Sequence, residues 1–468
     1  MPSKGVDVFI FNAAPGCRVV CTVPGNHNVT ADPNDAWKAE RLEIEASELP
    51  NPFDFVGRFE WKVFQNGVQI ANGWNDVNTL NGNLKGGTMT ETKSTFATQV
   101  KDLVITYGFY DAGPGVAGLP KREQFYLAVG PNNRSWMGRI APRGSTAAGK
   151  LFSRMVLPSP HDCGMNSMQN SEYILQKAGD AFVKVLPEFK WFNITASIVK
   201  AMAPNIIYGL AMTQKDSITT LLAIGARYFE FRPAYLHDSF RINNTIYFQH
   251  ACIPGIEYGA FLFEVIDFLA HNPDEIVVIN HRWDGVTDGC KRPEDKVLDQ
   301  MLTQTISDRK AALTVGSLDD ITTQTIDQLR TSGKRIIKVK NVDSDSNYDD
   351  KANATLNGDT IIQALNSMKP TSNKKKFIYL QCQATASNIK DVLVHSVIAA
   401  NTATSCLTAT KPICDSKTNA WLKNNVAKFD DLDQMVVIGN DFLDMGTAAR
   451  AISWTEQRLK GSTHAARL

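Results

Sequence analysis

No hydrophobic run in this chain approaches the roughly 20 residues that a membrane-spanning helix needs, so the sequence predicts no transmembrane segment. Neither sign of charge is in excess. Lys and Arg number 49 against 48 Asp and Glu, a formal net charge of +1, which gives no whole-chain drive toward nucleic acid or an anionic surface. Any contact with lipid must then be local. Cysteine is sparse, 8 in 468 residues with no C-x-x-C pair, which argues against a zinc site and against a disulfide scaffold. Cys406 and Cys414 are close enough in sequence to bridge a loop in an oxidising compartment. The N-terminal apolar stretch is too short for a secretory signal, and its alternation reads as a first strand. Sequons at Asn28, Asn133, Asn193, Asn243 and Asn353 fit secretion, but a chain rich in Asn, Ser and Thr produces them by chance. The compartment stays open, with cytoplasmic placement and transient membrane contact favoured over secretion.

What is present divides the chain in two, as its length suggests. Residues 1–145 carry strand signals and almost no helical period, with candidate strands at 6–12, 18–23, 41–46, 58–70, 88–108 and 123–129. Asn-Gly at 66–67 and 72–73, Gly-Gly at 86–87 and Gly-Pro at 113–114 punctuate them. Phe59, Trp61 and Val63 alternate with polar neighbours, as on a half-buried antiparallel strand. The expectation is an all-β sandwich serving as an accessory module, since nothing there clusters titratable groups. A small, polar stretch at 141–149 marks the boundary.

From 150 to 468 strand and helix signals alternate, the pattern of βα units on a parallel sheet. Strands are expected at 151–157, 227–232, 245–249, 276–280, 335–340, 377–383 and 435–442. Helices are expected near 215–224, 259–270, 295–312, 325–331, 359–367, 388–400, 418–427 and 446–459. Seven strands fall one short of a closed eight-stranded barrel. Charged and imidazole residues gather at the strand ends: His161 and Asp162 after the first, Glu230 and Arg232, His250, then His281 and Arg282, with Lys340 further on. Parallel α/β folds keep their chemistry at such ends. His237, His271 and His395 read as surface or cap residues, and the Lys374–Lys376 run as a solvated strand approach.

Four fragments in order, His-Asp-x-Gly at 161–164, Gly-Ala-Arg-Tyr-Phe-Glu-x-Arg at 225–232, the strand ending in His250, and Phe-Leu-x-x-x-Pro-x-Glu-Ile-Val-Val at 268–278, resemble the X domain of phosphatidylinositol-specific phospholipase C. The small bacterial type is the nearer in order and spacing. The resemblance covers roughly 150 to 460 and implies a distorted TIM barrel. Cleaving a phosphodiester needs a base for the attacking hydroxyl, an acid for the leaving oxygen and fixed positive charge on the phosphoryl oxygens. Two imidazoles suit the first two roles near neutrality. Carried over, His161 resembles the general base and His250 the general acid; Asp162 the support of the second histidine; Asp441 the aspartate orienting the first; Arg232 the phosphate-binding arginine; and Glu230 stands where those enzymes carry an acid. His281, Arg282 and Lys340 are candidate contacts to phosphate or headgroup.

Calcium-dependent relatives place a second acid where Arg232 stands and an asparagine where Asp162 stands, so the resemblance implies catalysis without metal or other cofactor. It does not imply inositol selectivity. Where the bacterial enzymes carry a ring-reading aspartate and tyrosine, this chain has Gln-Cys-Gln-Ala-Thr from Gln381, leaving Tyr235, Tyr258, Trp283 and Asp284 to rebuild a pocket. The expected partner is a phospholipid met transiently at a membrane surface, with no nucleic acid and with the oligomeric state open. Two other readings stand beside it: a silent lipid- or glycan-binding adaptor, and a metal-dependent barrel of the glycerophosphodiesterase or sphingomyelinase D kind.

Overall fold

The computed structural model describes residues 2–460 apart from 52, 90–94, 114–119, 186–203, 205–206, 350–354, 370–374, 387–404 and 431. The expected helix at 388–400, His395, Lys374, Asn193 and Asn353 lie outside the described residues.

Residues 3–131 build two five-stranded sheets. One runs Trp37–Glu45, Ser3–Asn12, Glu123–Pro131, Leu103–Tyr110, Thr98–Val100; the other Asn28–Ala31, Cys17–Thr22, Val56–Gln65, Val68–Asn78, Leu84–Gly87. Val6, Val8, Ile10, Phe125 and Leu127 of the first share one core with Val19, Cys21, Phe59, Trp61 and Val63 of the second. The rings of Trp61 and Phe125 stack with centroids 5.8 Å apart. The run expected at 58–70 is two strands, because Asn66 and Gly67 take φ of 50° and 82° and turn the chain in two residues. That left-handed pair matches the twist of a tight hairpin. The edge strands Asn28–Ala31 and Leu84–Gly87 went unanticipated, being only 4 residues each.

Beyond residue 150, two four-stranded sheets are parallel throughout. Their orders are Val156–Pro160, Met435–Asn440, Phe377–Gln381, Ser344–Ser346, and Tyr228–Phe231, Val277–His281, Lys334–Lys340, Thr314–Gly316. The Arg227 amide donates to the Pro158 carbonyl at 3.0 Å, so the two sheets meet edge to edge. No pairing joins the outer strands Thr314–Gly316 and Ser344–Ser346 among the described residues. The first strand starts later than the 151–157 expected, since a 3₁₀ turn takes Phe152–Arg154. Pro158 and Pro160 lie inside it, and Pro158, lacking an N–H, still accepts through its carbonyl. A second correction concerns Ile246–His250. It is not one of the parallel series but the middle of an antiparallel sheet with Pro233–Tyr235 and Ile253–Glu257. Pro233, straight after Arg232, ends the parallel strand and starts this one.

The parallel strands are buried on both faces, with opposite parities serving different cores. Leu157, Tyr228, Val278, Ile337, Tyr379 and Val437 meet in one cluster. The alternate residues face helices: Phe229, Val277 and Ile279 pack with Ile218–Ile224, Tyr258–His271 and Asp295–Asp308, while Val156, Ile378 and Val436 pack with Gly358–Ser367, Cys406–Asn425 and Met445–Lys460. Ser217 caps the first of these by accepting from the Thr220 amide. Cys406–Asn425 is longer than the expected 418–427 and holds both Cys406 and Cys414. Eight residues along a helix is about 12 Å, beyond the reach of a disulfide between the two. No helix among the described residues is long and apolar enough to cross a membrane.

Candidate functional site

Residues His161, Glu230, Arg232, Arg282 and Asp441 share the parity of the inner cluster and follow or end parallel strands on the same rim. The turn carrying His161 and Asp162 is fixed by its backbone. The Thr213 hydroxyl donates to the carbonyls of both residues at 3.1 Å, and the Gln214 amide donates to that of His161 at 2.9 Å. Asp162 itself takes φ of 43°, a left-handed conformation that aspartate tolerates better than most. His250 arrives from the antiparallel sheet. The Gly164 position lets it in: a β-carbon there would lie 2.3 Å from Cβ of Phe248, two residues before His250.

Asp162 is the meeting point. Its Oδ2 lies 3.8 Å from Nε2 of His161 and 3.7 Å from Nε2 of His250, and its Oδ1 is 2.8 Å from Nη2 of Arg232. The two Nε2 atoms are therefore no further apart than the sum of the first two distances. Behind His161, Nδ1 pairs with Oδ1 of Asp441 at 2.8 Å, fixing ring orientation. Arg232 also donates from Nε to Oε1 of Glu230 at 2.9 Å. Arg282 is held by Asp284 at 2.5 Å on the rim.

Burial opposes charge on His161, but Asp162 and then Asp441 outweigh it and push its pKa up to about 9. Burial alone would raise Asp162; Arg232 first, then both histidines, hold it down at about 2. Burial pushes Asp441 above the usual carboxylate range against the pull of His161.

Two expected contacts are not brought to this cluster. Lys340 pairs in register with His281, on the parity that faces the helices. His281 is buried against Tyr258, whose hydroxyl is 3.1 Å from Nε2, and burial drives its pKa down to about 3. Lys340 reaches Asp295 at 2.5 Å on the helix Asp295–Asp308. A strand's end names the rim but not the face. Of the residues expected to shape a pocket, Tyr258 is in the core and Trp283 donates to the Pro233 carbonyl at 2.8 Å. Thr213, Gln214 and Asn440 had no sequence signal, since they act through backbone carbonyls and amides. Among the described residues no group of three His, Cys, Asp or Glu is arranged to hold a metal ion.

Fold and site together define a class: an α/β chain with two imidazoles, two aspartates and an arginine at the ends of parallel strands. No family model matches the chain, and no curated protein does. Among solved structures it is similar to the phosphatidylinositol-specific phospholipase C of Listeria monocytogenes, at 15% identity and a TM-score of 0.38 over 69% of this chain and 98% of that one. It is similar also to a variant of the Staphylococcus aureus phosphatidylinositol-specific phospholipase C, at 14% identity and a TM-score of 0.41 over 69% of this chain and 98% of that one. A likeness of this degree carries no weight for activity.

Proposed function

We propose that the chain is a phospholipase C-like phosphodiesterase that cleaves a phospholipid headgroup at a membrane surface without metal. In this reading residues 150–468 form a distorted TIM barrel, and residues 1–145 form an accessory β-sandwich. The observation that carries it is the convergence of His161 Nε2 and His250 Nε2 on one oxygen of Asp162, with Arg232 on the other.

The chemistry follows from that placement. Neutral His161 removes a proton from a headgroup hydroxyl next to the phosphodiester, and that oxygen bonds to phosphorus. The bond from phosphorus to the glycerol oxygen breaks as His250 delivers a proton to it, giving a cyclic phosphoester and diacylglycerol. Asp441 supports the imidazolium that forms on His161, Asp162 that of the resting His250. The Arg232 guanidinium, fixed by Asp162 and Glu230, offsets charge on the phosphoryl oxygens. Arg282 lies on the same rim for the headgroup.

Vesicles of phosphatidylinositol and of phosphatidylcholine, incubated with the protein and followed by phosphorus NMR, test the proposal. A new water-soluble phosphoester from phosphatidylinositol, unaffected by EDTA, is the expected result; one from phosphatidylcholine, whose choline has no hydroxyl to cyclise, would mean that water attacks phosphorus instead. No such signal from either would overturn the substrate class, and activity abolished by EDTA would move the chain to the metal-dependent barrels.

A further inference from the structure

Behind Asp441 lies a second cluster of charge that the reaction does not touch. Lys411, on the helix Cys406–Asn425, is buried, and three oxygens surround its ammonium. They are Asp415 Oδ2 at 2.5 Å, Asp444 Oδ2 at 2.9 Å and the backbone carbonyl of Asp441 at 3.1 Å. The ammonium donates to Asp415 and to the Asp441 carbonyl and holds Asp444 as an ion pair. The fourth side is the ring of Tyr126 from the N-terminal sheet, 5.4 Å away.

The cluster reaches Asp441 from its other side as well. Asp415 Oδ1 accepts from Nδ2 of Asn440 at 3.0 Å, and Oδ1 of Asn440 accepts from the Asp441 amide at 3.0 Å. Asp444 Oδ1 accepts from the amides of Gly446 and Thr447, at 2.9 and 3.1 Å, at the start of the helix Met445–Lys460. Beyond Asp441, Phe442 takes φ of 45°, unusual for a bulky residue, and its amide is tied to the Thr213 carbonyl at 2.6 Å. Both peptide groups flanking the Asp441 side chain are thus gripped, one by Asn440 and one by Lys411.

We propose that Lys411, with Asp415 and Asp444, is a positioning unit that clamps the backbone of Asp441 and so holds its carboxylate on His161. This role rests on the reading of His161 as the general base. A buried charge cluster adds little stability over an apolar filling, and its geometry here converges on one residue. Burial raises Asp415, against Lys411, to about 7, while Lys411 itself is held above the ordinary lysine range. The charges facing His161 are Asp162, Asp441 and Arg232. Lys411 acts on the ring through Asp441.

The test removes the clamp without changing net charge: Lys411→Met together with Asp415→Asn. Folding is checked by circular dichroism and thermal denaturation, and the His161 midpoint is followed by NMR of histidine-labelled protein without substrate. The midpoint should fall by about one unit as one carboxylate loosens. On phosphatidylinositol vesicles kcat should fall about tenfold with KM unchanged, the effect of a displaced catalytic group. Should this variant fail to fold, Lys411→Gln with Asp415→Asn restores one donor and carries the same test. A folded variant with the His161 midpoint unmoved would overturn the positioning role. A midpoint that moves, in a protein that turns over no phosphodiester, would leave the clamp standing and remove the proposed reaction.

Discussion

The proton of His161 is flanked by two carboxylates, Asp441 at Nδ1 and Asp162 beyond Nε2, and this sets how the site answers to pH. A ring with its midpoint near 9 is only about one part in a hundred neutral at pH 7. Because a base must be neutral to accept a proton, kcat/KM should climb with pH toward about 9, seen as a unit slope in a pH–rate profile. Asp441→Asn should pull that limb down toward the ordinary imidazole value of ~6.5 while lowering the plateau; an unmoved limb would show that another group titrates. His161→Ala and His250→Ala should each lose ~10²–10⁴ in kcat, measured on the same vesicles. The cluster was legible in the sequence because its members end strands within short motifs. His281 and Lys340 were not separable from it, since strands buried on both faces show no alternation to reveal which parity points inward. Lys411 falls between the expected helices at 388–400 and 418–427, and only tertiary packing buries it.

Among the elements, the turn at residues 161–164 and the strand Ile246–His250 are packed against each other with no room to spare. Cβ of a residue at 164 would clash with Phe248, and one at Gly255 would lie 2.1 Å from the Gly164 carbonyl. Gly164→Ala should therefore destabilise by ~1–3 kcal/mol in urea unfolding and lower kcat further than the stability change explains, because the displaced strand carries His250. The glycine was visible in His-Asp-x-Gly, but the antiparallel course of the strand it faces was not, since Pro233 redirects the chain within one residue. The motif around Gly225 hides a structural pair as well. Arg227 and Glu275 are both fully buried at 2.6 Å, with Arg227 also donating to the carbonyls of Asn133 and Arg134. Glu275→Gln should cost ~3–5 kcal/mol by leaving that guanidinium without its counter-charge. A small loss in denaturant midpoint would show the carbonyls suffice.

For the whole molecule, activity and stability should respond to pH in opposite directions. His161, raised in the fold, stabilises fully below its unfolded value of ~6.5 and loses that contribution as pH passes about 9. Glu123, between the strands Ser3–Asn12 and Leu103–Tyr110, is buried with neither carboxylate oxygen hydrogen-bonded, and burial lifts its pKa to about 8. An acid raised in the fold stays protonated there, so stability declines as pH rises from the ordinary carboxylate range to about 8. Thermal midpoints should fall across neutrality while turnover rises, and Glu123→Gln should flatten the decline without moving the pH–rate profile. A decline unchanged in that variant would shift its origin elsewhere. Two sheets and alternating βα units were readable from turn residues and periodicity. The contact of the N-terminal sheet with the back of the site was not, because Tyr126 meets Lys411 across 285 positions of chain.

The left-handed backbone at Asp162 narrows what protein engineering can ask of this chain. Glycine and asparagine share aspartate's ease in that conformation, so a saturation library at 162 should collapse onto three letters, two of them uncharged. Retuning toward new headgroups would have to recruit its diversity around the rim, leaving that single codon nearly invariant.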